Sequence, residues 1–196
     1  MTRTILITAL ATMLPLAGSA ALADPVAQAG NVQGNIAGFH GTAASLPDAI
    51  MKVERATGGK VAEIRFDDSD GAPGYHVVVD RGNSVEFMHL DAMSGRLLTM
   101  QDNVRPAWML SWHDKAELRA VETARVPLAE AIVTAEQADG DAPAIAAGIA
   151  RSAGDPQSDV HAYNVLIERN GGITRRAVDS ATDNIIADAG TLSAYP

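Results

Sequence analysis

The chain has no cysteine among its 196 residues. This excludes disulfide bonds, thiol catalysis, cysteine-ligated iron–sulfur clusters, covalent c-type haem and a lipid-modified N-terminal cysteine. Aromatic residues make up only 4% of the chain, so any core must consist mainly of Ala, Val, Ile, Leu and Met. The chain has 15 Lys and Arg against 24 Asp and Glu, a net charge of −9. That balance argues against nucleic-acid binding, which needs clustered positive charge.

Hydrophobic residues make up 47% of the chain, so the chain as a whole is not a disordered acidic tail. The length allows one ordinary domain or two small ones.

The N-terminus has the three parts of a secretory signal peptide. Arg3 precedes a mostly apolar run from Ile5 to Leu16, and Ala21-Leu22-Ala23 forms a small-x-small site before Asp24. An uncleaved anchor is the alternative, but a run of about a dozen residues is short for a ~30 Å hydrocarbon core. No later stretch is apolar enough to span a membrane. We therefore predict a signal peptide at 1–23, cleavage after Ala23, and a periplasmic or secreted protein.

Residues 24–42 form a Gly-rich leader that we expect to be flexible, because glycine at this density opposes regular structure. Phe39 and His40 are its only bulky groups, and docking of these two on the body is the alternative.

The next segment predicts a helix followed by antiparallel strands. Ser45 and Asp48 have the spacing of a capping box, and Gly58-Gly59 ends the helix. Alternating and β-branched residues, separated by turn residues, then predict four strands. These are Val61 to Phe66, Tyr75 to Val79, Val85 to Leu90, and a short strand from Arg96 to Leu98.

The same order recurs downstream. Leu46-Pro-Asp-Ala-Ile matches Leu128-Ala-Glu-Ala-Ile at an offset of 82, and the strand at Tyr75 matches that at Tyr163 at an offset of 88. Asp91 and Asp179 share the second offset. We interpret these matches as two copies of one module.

A segment at 103–125, between the copies, is predicted to be a linker helix with Trp108 and Trp112 on one face. We expect these two side chains to form an inter-module seam; a ligand site is the alternative.

The first copy resembles the PepSY module in four stretches of sequence. These are Ala49-Ile50, Thr57-Gly-Gly-Lys-Val61, Gly74-Tyr-His-Val-Val-Val79 and Leu90-Asp-Ala-Met-Ser-Gly-Arg-Leu97. The second copy departs from the pattern, with Asp183 at the turn glycine and Arg175-Arg176 in the third strand.

The resemblance implies a helix laid on a small antiparallel sheet and a role in restraining a partner protein, often an exported peptidase. Some PepSY modules sit beside membrane redox proteins. The family has no shared catalytic residues. The expected fold is therefore α+β, with a first module at 43–102 and a divergent second module at 126–196, joined by the linker helix.

Candidate metal chemistry is weak in the sequence. His76 and His89 lie on strands predicted to be neighbours, but no His-x-x-x-His pattern occurs and the side on which His89 lies is open. Solvated histidines are the expected outcome. The run Asp67-Asp-Ser-Asp-Gly71 fits a hairpin turn better than a calcium loop, because its glycine comes fifth and no distal Glu follows. We predict no metal site and no cofactor.

Catalytic motifs are absent as well: the sequence has no Gly-x-Ser-x-Gly and no Gly-rich phosphate loop. We predict a non-enzymatic protein that binds, and restrains, a partner such as an exported peptidase or a membrane-associated protein. The alternatives are a small-ligand or metal-binding carrier and, last, a hydrolase. The predicted binding surface is an open sheet edge, with acids that favour a Lys- or Arg-bearing segment, although those acids also fit a solvated turn. Its residues are Val61, Ile64, Phe66, Asp67, Asp68 and Asp70, with Arg96 to Leu98 as a second candidate edge.

Overall fold

The computed structural model describes residues 39–40, 42, 44–68, 72–98, 104–110, 112–151 and 161–192; the side chains at 107, 112–114, 150–151 and 187–192 are not described. The predicted signal peptide and most of the predicted leader, 1–38, lie outside the described residues, as does Asp70.

Helix α1, Leu46–Thr57, begins and ends as its sequence predicts. The Ser45 hydroxyl accepts the N–H of Asp48, and Gly58 takes a left-handed conformation with φ 69°, donating its N–H to the Glu54 carbonyl. Glycine is suited to this position because it has no Cβ to clash. The helix buries one apolar face, formed by Leu46, Ala49, Ile50 and Val53.

Two further helices, α2 (Trp112–Thr123) and α3 (Leu128–Ala138), follow in the chain. The strands are β1 Lys60–Asp67, β2 Gly74–Asp80, β3 Ser84–Asp91, β4 Leu97–Leu98, β5 Val104–Pro106, β6 Ala144–Arg151, β7 His161–Arg169, β8 Gly172–Asp179 and β9 Ile185–Leu192. The fold class is thus α+β with antiparallel pairing, as expected. None of the helices in the described part of the chain is both long and apolar enough to cross a membrane.

All of these strands belong to one sheet with the order β4-β3-β2-β1-β6-β7-β8-β9, and β5 also pairs with β3. The two strand groups meet at the antiparallel pair β1–β6, where Ile64 lies opposite Ala147. Helices α1 and α3 pack against each other and against these central strands. Ile64 and Ala147 are completely buried, so the centre of the sheet is also the centre of the core.

Helix α2 covers the other face of the central strands. It packs on β1 and β6 rather than on α1 and α3. Every residue from Ala144 to Ile149 is buried, although successive strand residues point to opposite faces. The small residues of β6 leave room for the helix to approach. The central strands are therefore covered on both sides.

The helix-then-four-strands order occurs twice along the chain, and the same kinds of hydrogen bond occur in both halves. Tyr75 donates its hydroxyl to the Ala44 carbonyl, and Tyr163 to that of Val126. Glu54 accepts the N–H of Val61, and Glu136 that of Ala144. Asp91 accepts the N–H groups of Met93 and Ser94, and Asp179 those of Ala181 and Thr182.

The linker prediction for 103–125 is wrong in its first part. Val104–Pro106 is a short strand paired with β3, Ala107–Met109 is a 3-10 turn, and the α-helix begins only at Trp112. Because Trp108 and Trp112 lie in different elements, they do not share the face of one helix.

Phe39, near the end of the predicted leader, docks on the body. The structure thus has the docking alternative at this residue, and not the expected flexibility. Its ring is 7% exposed and lies 5.4 Å from that of Phe66 in an edge-on arrangement. An edge-on aromatic pair contributes about 0.5–1.5 kcal/mol beyond burial, so this contact helps to hold Phe39 on the body.

Candidate functional site

The predicted partner-binding edge, Val61 to Phe66, is not an edge. Strand β1 pairs with β2 on one side and with β6 on the other, and Val61, Ile64 and Phe66 are buried. An edge strand and a central strand of this length look alike in sequence, since both alternate. The prediction is therefore wrong for this strand, because a pairing partner more than 80 residues away covers it.

The acids that follow this strand do not form a solvated cluster as far as the structure describes them. The Asp67 carboxylate lies 3.3 Å from His76 Nε2 and 3.6 Å from an Arg65 nitrogen, and its side chain is only 14% exposed. Asp68 is half-buried. Asp67 therefore belongs to a polar group on the sheet face.

The second candidate edge, at Arg96 to Leu98, does lie at an end of the sheet. Strand β4 contains only Leu97 and Leu98, both half-buried, and it pairs with the His89–Leu90 part of β3. Strand β5 pairs with Ser84–Glu86 of the same strand and ends in Pro106, which has no N–H to donate. Short strands and proline are usual protections of a sheet edge.

The opposite end of the sheet is the eight-residue strand β9, which pairs only with β8 among the described strands. Ile185 and Ile186 at its start are 37% and 44% exposed. The register skips Ile186, because Val178 lies opposite Ile185 and Ala177 opposite Ala187. The strand contains no proline, lysine or arginine, and Asp188 is its one charged residue. We call Ile185–Leu192 the β9 edge.

The turn before the β9 edge carries an acid with unused hydrogen-bonding capacity. Asp183 has a positive φ of 60°, and its Oδ2 accepts the Thr134 hydroxyl at 2.6 Å. Its Oδ1 is buried and has no hydrogen-bond partner in the described part of the structure. In the first half, Gly95 occupies this turn position and its carbonyl accepts from Lys52. The second half thus has Asp183 where the first half has Gly95. Thr134, and not a lysine like Lys52, bonds to this turn residue.

Trp108 is not part of a seam, because its side chain is 77% exposed. Met109 and Val104 beside it are 60% and 53% exposed. The side chain of Trp112 lies outside the described residues. The two halves are joined instead by the β1–β6 pairing and by the contact between α1 and α3.

His76 and His89 lie directly opposite each other on β2 and β3, which settles the side that the sequence left open. Their ring centroids are 4.6 Å apart at an interplanar angle of 71°. The Nδ1 atom of His89 is buried and has no hydrogen-bond partner among the described groups. No three His, Asp or Glu side chains in the described part of the chain stand ready-made at metal-coordination spacing.

Two cavities of about 290 Å³ lie between the two halves, and residues of both halves line each of them. The first is lined by Glu54, Lys60, Arg125, Tyr163 and apolar neighbours, and the second by Phe39, His40, Ser45, Glu136 and theirs. Burial raises the pKa of Glu136 and raises that of Tyr163 to about 12. These two groups bond the main chain, at Ala144 and Val126 respectively. Both bonds tie α3 and its start to the sheet.

Sequence reasoning missed two features of the site and left a third open. The strand from Ile185 was not predicted, although Ile185-Ile186 corresponds at an offset of 88 to Leu97-Leu98 of β4. That correspondence is the signal that would have located it. The unused oxygen of Asp183 depends on burial, which no local pattern signals. The sequence placed His76 and His89 on neighbouring strands, but the side on which His89 lies depends on the register of the pair.

Comparisons with known proteins give little. No family model matches the chain, and no curated protein matches it. A solved structure that aligns with it is described as a "putative lipoprotein" of Clostridium difficile 630; the identity is 14%, over 74% of this chain and 92% of that one, with a TM-score of 0.43. At that TM-score the likeness supports no conclusion about this protein.

Proposed function

We propose that this is an exported, non-catalytic PepSY-like protein that binds an extended segment of a partner protein, such as a peptidase, along the β9 edge. The observation that carries the proposal is the β9 edge itself: eight residues at the end of the sheet, without the protections found at the other end. The export part rests on the signal-peptide pattern at 1–23, which supports a location in the periplasm or outside the cell.

The same hydrogen bonds occur in each half, and this supports two divergent copies of one PepSY-like module. A repeated sequence pattern requires only that residue types recur. Here the contacts recur as well: three kinds of hydrogen bond join corresponding residues in each half, for example the tyrosine hydroxyls with the carbonyls of Ala44 and Val126. A module of this kind, with its ionisable groups used for main-chain capping, favours binding over catalysis.

An open edge strand binds through its main chain. Strand β9 is hydrogen-bonded to β8 on one side, and no other described strand pairs with it, so the N–H and C=O groups on its other side can bond to an added strand. The exposed side chains of Ile185 and Ile186 add apolar surface at the start of the edge. Main-chain bonds would supply affinity, and these side chains would supply selectivity.

Charge favours a basic partner segment. The protein carries a net charge of −9, and the acids at and beside the β9 edge are Asp183 and Asp188. Asp183 lies just before Ile185 in the chain, and the negative charges of Asp183 and Asp188 would attract Lys or Arg by charge complementarity. We therefore expect an extended segment with apolar residues opposite Ile185 and Ile186 and a basic residue near Asp183.

Photo-crosslinking in the producing cells tests the proposal. A photoreactive amino acid is placed at Ile186 and, as the control, at Met93, which is 53% exposed and lies in the turn between β3 and β4 at the opposite end of the sheet. We expect one partner segment to crosslink from Ile186 and not from Met93. Equal crosslinking at both positions contradicts the proposal. Crosslinks from Ile186 to a second copy of this chain would contradict a separate partner protein and show that the β9 edge mediates self-association.

A synthetic peptide with the crosslinked sequence then allows a direct affinity measurement. Ile186→Lys should weaken its binding by about tenfold or more, because lysine on an edge opposes strand addition. Met93→Lys should leave the affinity unchanged, because Met93 lies at the opposite end of the sheet. Asp183→Asn should slow association and reduce its dependence on salt. An unchanged affinity for Ile186→Lys rules out the β9 edge.

A further inference from the structure

Three side chains with metal-binding atoms meet on one face of the sheet, away from the β9 edge. In the register, Asp67 lies opposite Gly74, and His76 lies opposite His89. Since Gly74 and His76 are two residues apart on β2, they face the same side of the sheet. Asp67, His76 and His89 therefore surround the space above Gly74.

Gly74 provides that space. A Cβ atom at this position would clash with His89 Nε2, so the imidazole of His89 occupies the place where a side chain would be. This puts His89 Nε2 above the residue that pairs directly with Asp67. The His89 ring thus leans towards the carboxylate that His76 already contacts.

The Asp67–His76 contact has the dimension of a pair of metal ligands. Zn–N and Zn–O bonds of about 2.0–2.2 Å in a tetrahedron put two ligand atoms roughly 3.3–3.5 Å apart. The distance between His76 Nε2 and Asp67 Oδ2 is 3.3 Å. The His ring centroids are 4.6 Å apart, so the His89 ring has to rotate before one of its nitrogens can join His76 and Asp67 around an ion.

We propose that Asp67, His76 and His89 bind one divalent transition-metal ion, with Zn²⁺ as the ion to test first. Two imidazoles and one carboxylate suit zinc and its neighbours and leave a coordination position open. Binding requires the His89 ring to move from its place above Gly74, because the three side chains do not stand at coordination spacing as they are. The Nδ1 of His89 is buried and lacks a hydrogen-bond partner among the described groups, so the present position of the ring carries an unsatisfied polar atom.

Arg65 provides a distinguishing test. Its guanidinium lies 3.6 Å from Asp67 Oδ2 and competes with a cation for the same carboxylate. Removing this charge with Arg65→Gln should therefore tighten metal binding. An ion bound elsewhere on the surface would not respond to this change.

The experiment is calorimetric titration of the purified, tag-free protein with ZnCl₂. We expect one ion per chain, a loss of affinity of about tenfold or more in His76→Ala and in His89→Ala, and tighter binding in Arg65→Gln. His40→Ala is the matched control, because His40 also lies near a carboxylate, 3.8 Å from Glu168, but has no second imidazole opposite. Its affinity should equal that of the unchanged protein.

Absence of binding at micromolar to millimolar zinc overturns the proposal, as does an equal loss in His40→Ala. Thermal unfolding of each variant without metal shows whether the variant folds. If a histidine variant does not fold, Asp67→Asn replaces it, and the same loss of zinc affinity is expected. With Co²⁺, the visible absorption of a tetrahedral site should appear in the unchanged protein and be lost in His76→Ala. The β9 edge is separate, so either proposal can fail without the other.

Discussion

Tyr75 and Tyr163 perform the same task in the two halves of the molecule. Each is buried on a strand, and each donates its hydroxyl to a main-chain carbonyl two residues before a helix, at 2.6 Å for Ala44 and 2.8 Å for Val126. Each bond fixes the start of a helix against the sheet. Because the acceptor lies in a connecting segment, the tyrosine also satisfies a carbonyl that the helix itself does not use.

We expect Tyr163→Phe to lower the free energy of unfolding by about 1 kcal/mol, because the buried Val126 carbonyl loses its donor. Tyr75→Phe should have an effect of similar size. Urea unfolding at neutral pH measures both. An effect confined to one tyrosine would show that the two bonds are not equivalent.

Tyr163 also makes the stability of the protein depend on pH. Burial raises the pKa of Tyr163 from 10.0 to about 12, so the unfolded chain loses this proton at a lower pH than the folded protein. The contribution of this group to stability is fully present below pH 10 and is lost as pH rises towards 12. Unfolding measured across this range should show a shallower decline in Tyr163→Phe than in the unchanged protein. Equal slopes would contradict the shift.

Substitutions at Ile64 and Trp108 should separate the true junction from the predicted seam. Ile64 is completely buried at the β1–β6 junction, and Ile64→Ala should cost about 2–5 kcal/mol by leaving a cavity. Trp108→Ala should change stability by less than about 0.5 kcal/mol, since its side chain is 77% exposed. Chemical denaturation of the two variants checks this. A large loss in Trp108→Ala would restore a structural role for that residue.

The Arg176–Asp139 ion pair provides a test of buried charge. Arg176 donates two hydrogen bonds of 2.7 Å to the carboxylate of Asp139, the residue that follows α3 in the chain. This carboxylate is almost fully buried. Arg176→Met should cost roughly 3–5 kcal/mol, because it leaves that charge without its main partner.

The matched control is Arg169→Met, which removes an exposed guanidinium 3.8 Å from the same carboxylate and should have almost no effect. The double variant Asp139→Asn with Arg176→Met should recover part of the lost stability. Equal losses in the two arginine variants would show that proximity to Asp139, and not the bidentate geometry, matters. Urea unfolding of the four proteins provides the comparison.

Adjacent glycines at the end of α1 should respond differently to asparagine. Gly58 has a φ of 69° and open space around it, whereas a Cβ at Gly59 would lie 2.6 Å from the Asp80 carbonyl. Asparagine tolerates the left-handed conformation, so Gly58→Asn should cost less than Gly58→Ala. Gly59→Asn should cost at least as much as Gly59→Ala, because the clash begins at Cβ. Thermal unfolding of the four variants tests this; rescue at Gly59 would contradict it.

The amino-acid sequence by itself determined the local elements. The Ser45–Asp48 spacing and Gly58 set the ends of α1, since a cap and a left-handed glycine act within a few residues. The strands at Tyr75 and Tyr163 and the turns at Asp91 and Asp179 follow equally from alternation and turn chemistry. The repeated offsets predicted that these elements occur twice in the same order.

Only the tertiary structure decided which strands lie side by side. The β1–β6 pair joins residues more than 80 positions apart, and it converts the strand at Ile64 from a predicted edge into the centre of the core. The same long-range packing left β9 at the open end, set His89 opposite His76 and left Trp108 in solvent. Alternation specifies that a strand has a buried face, but pairing along its sides uses main-chain groups that every residue carries, and these leave no mark in the sequence.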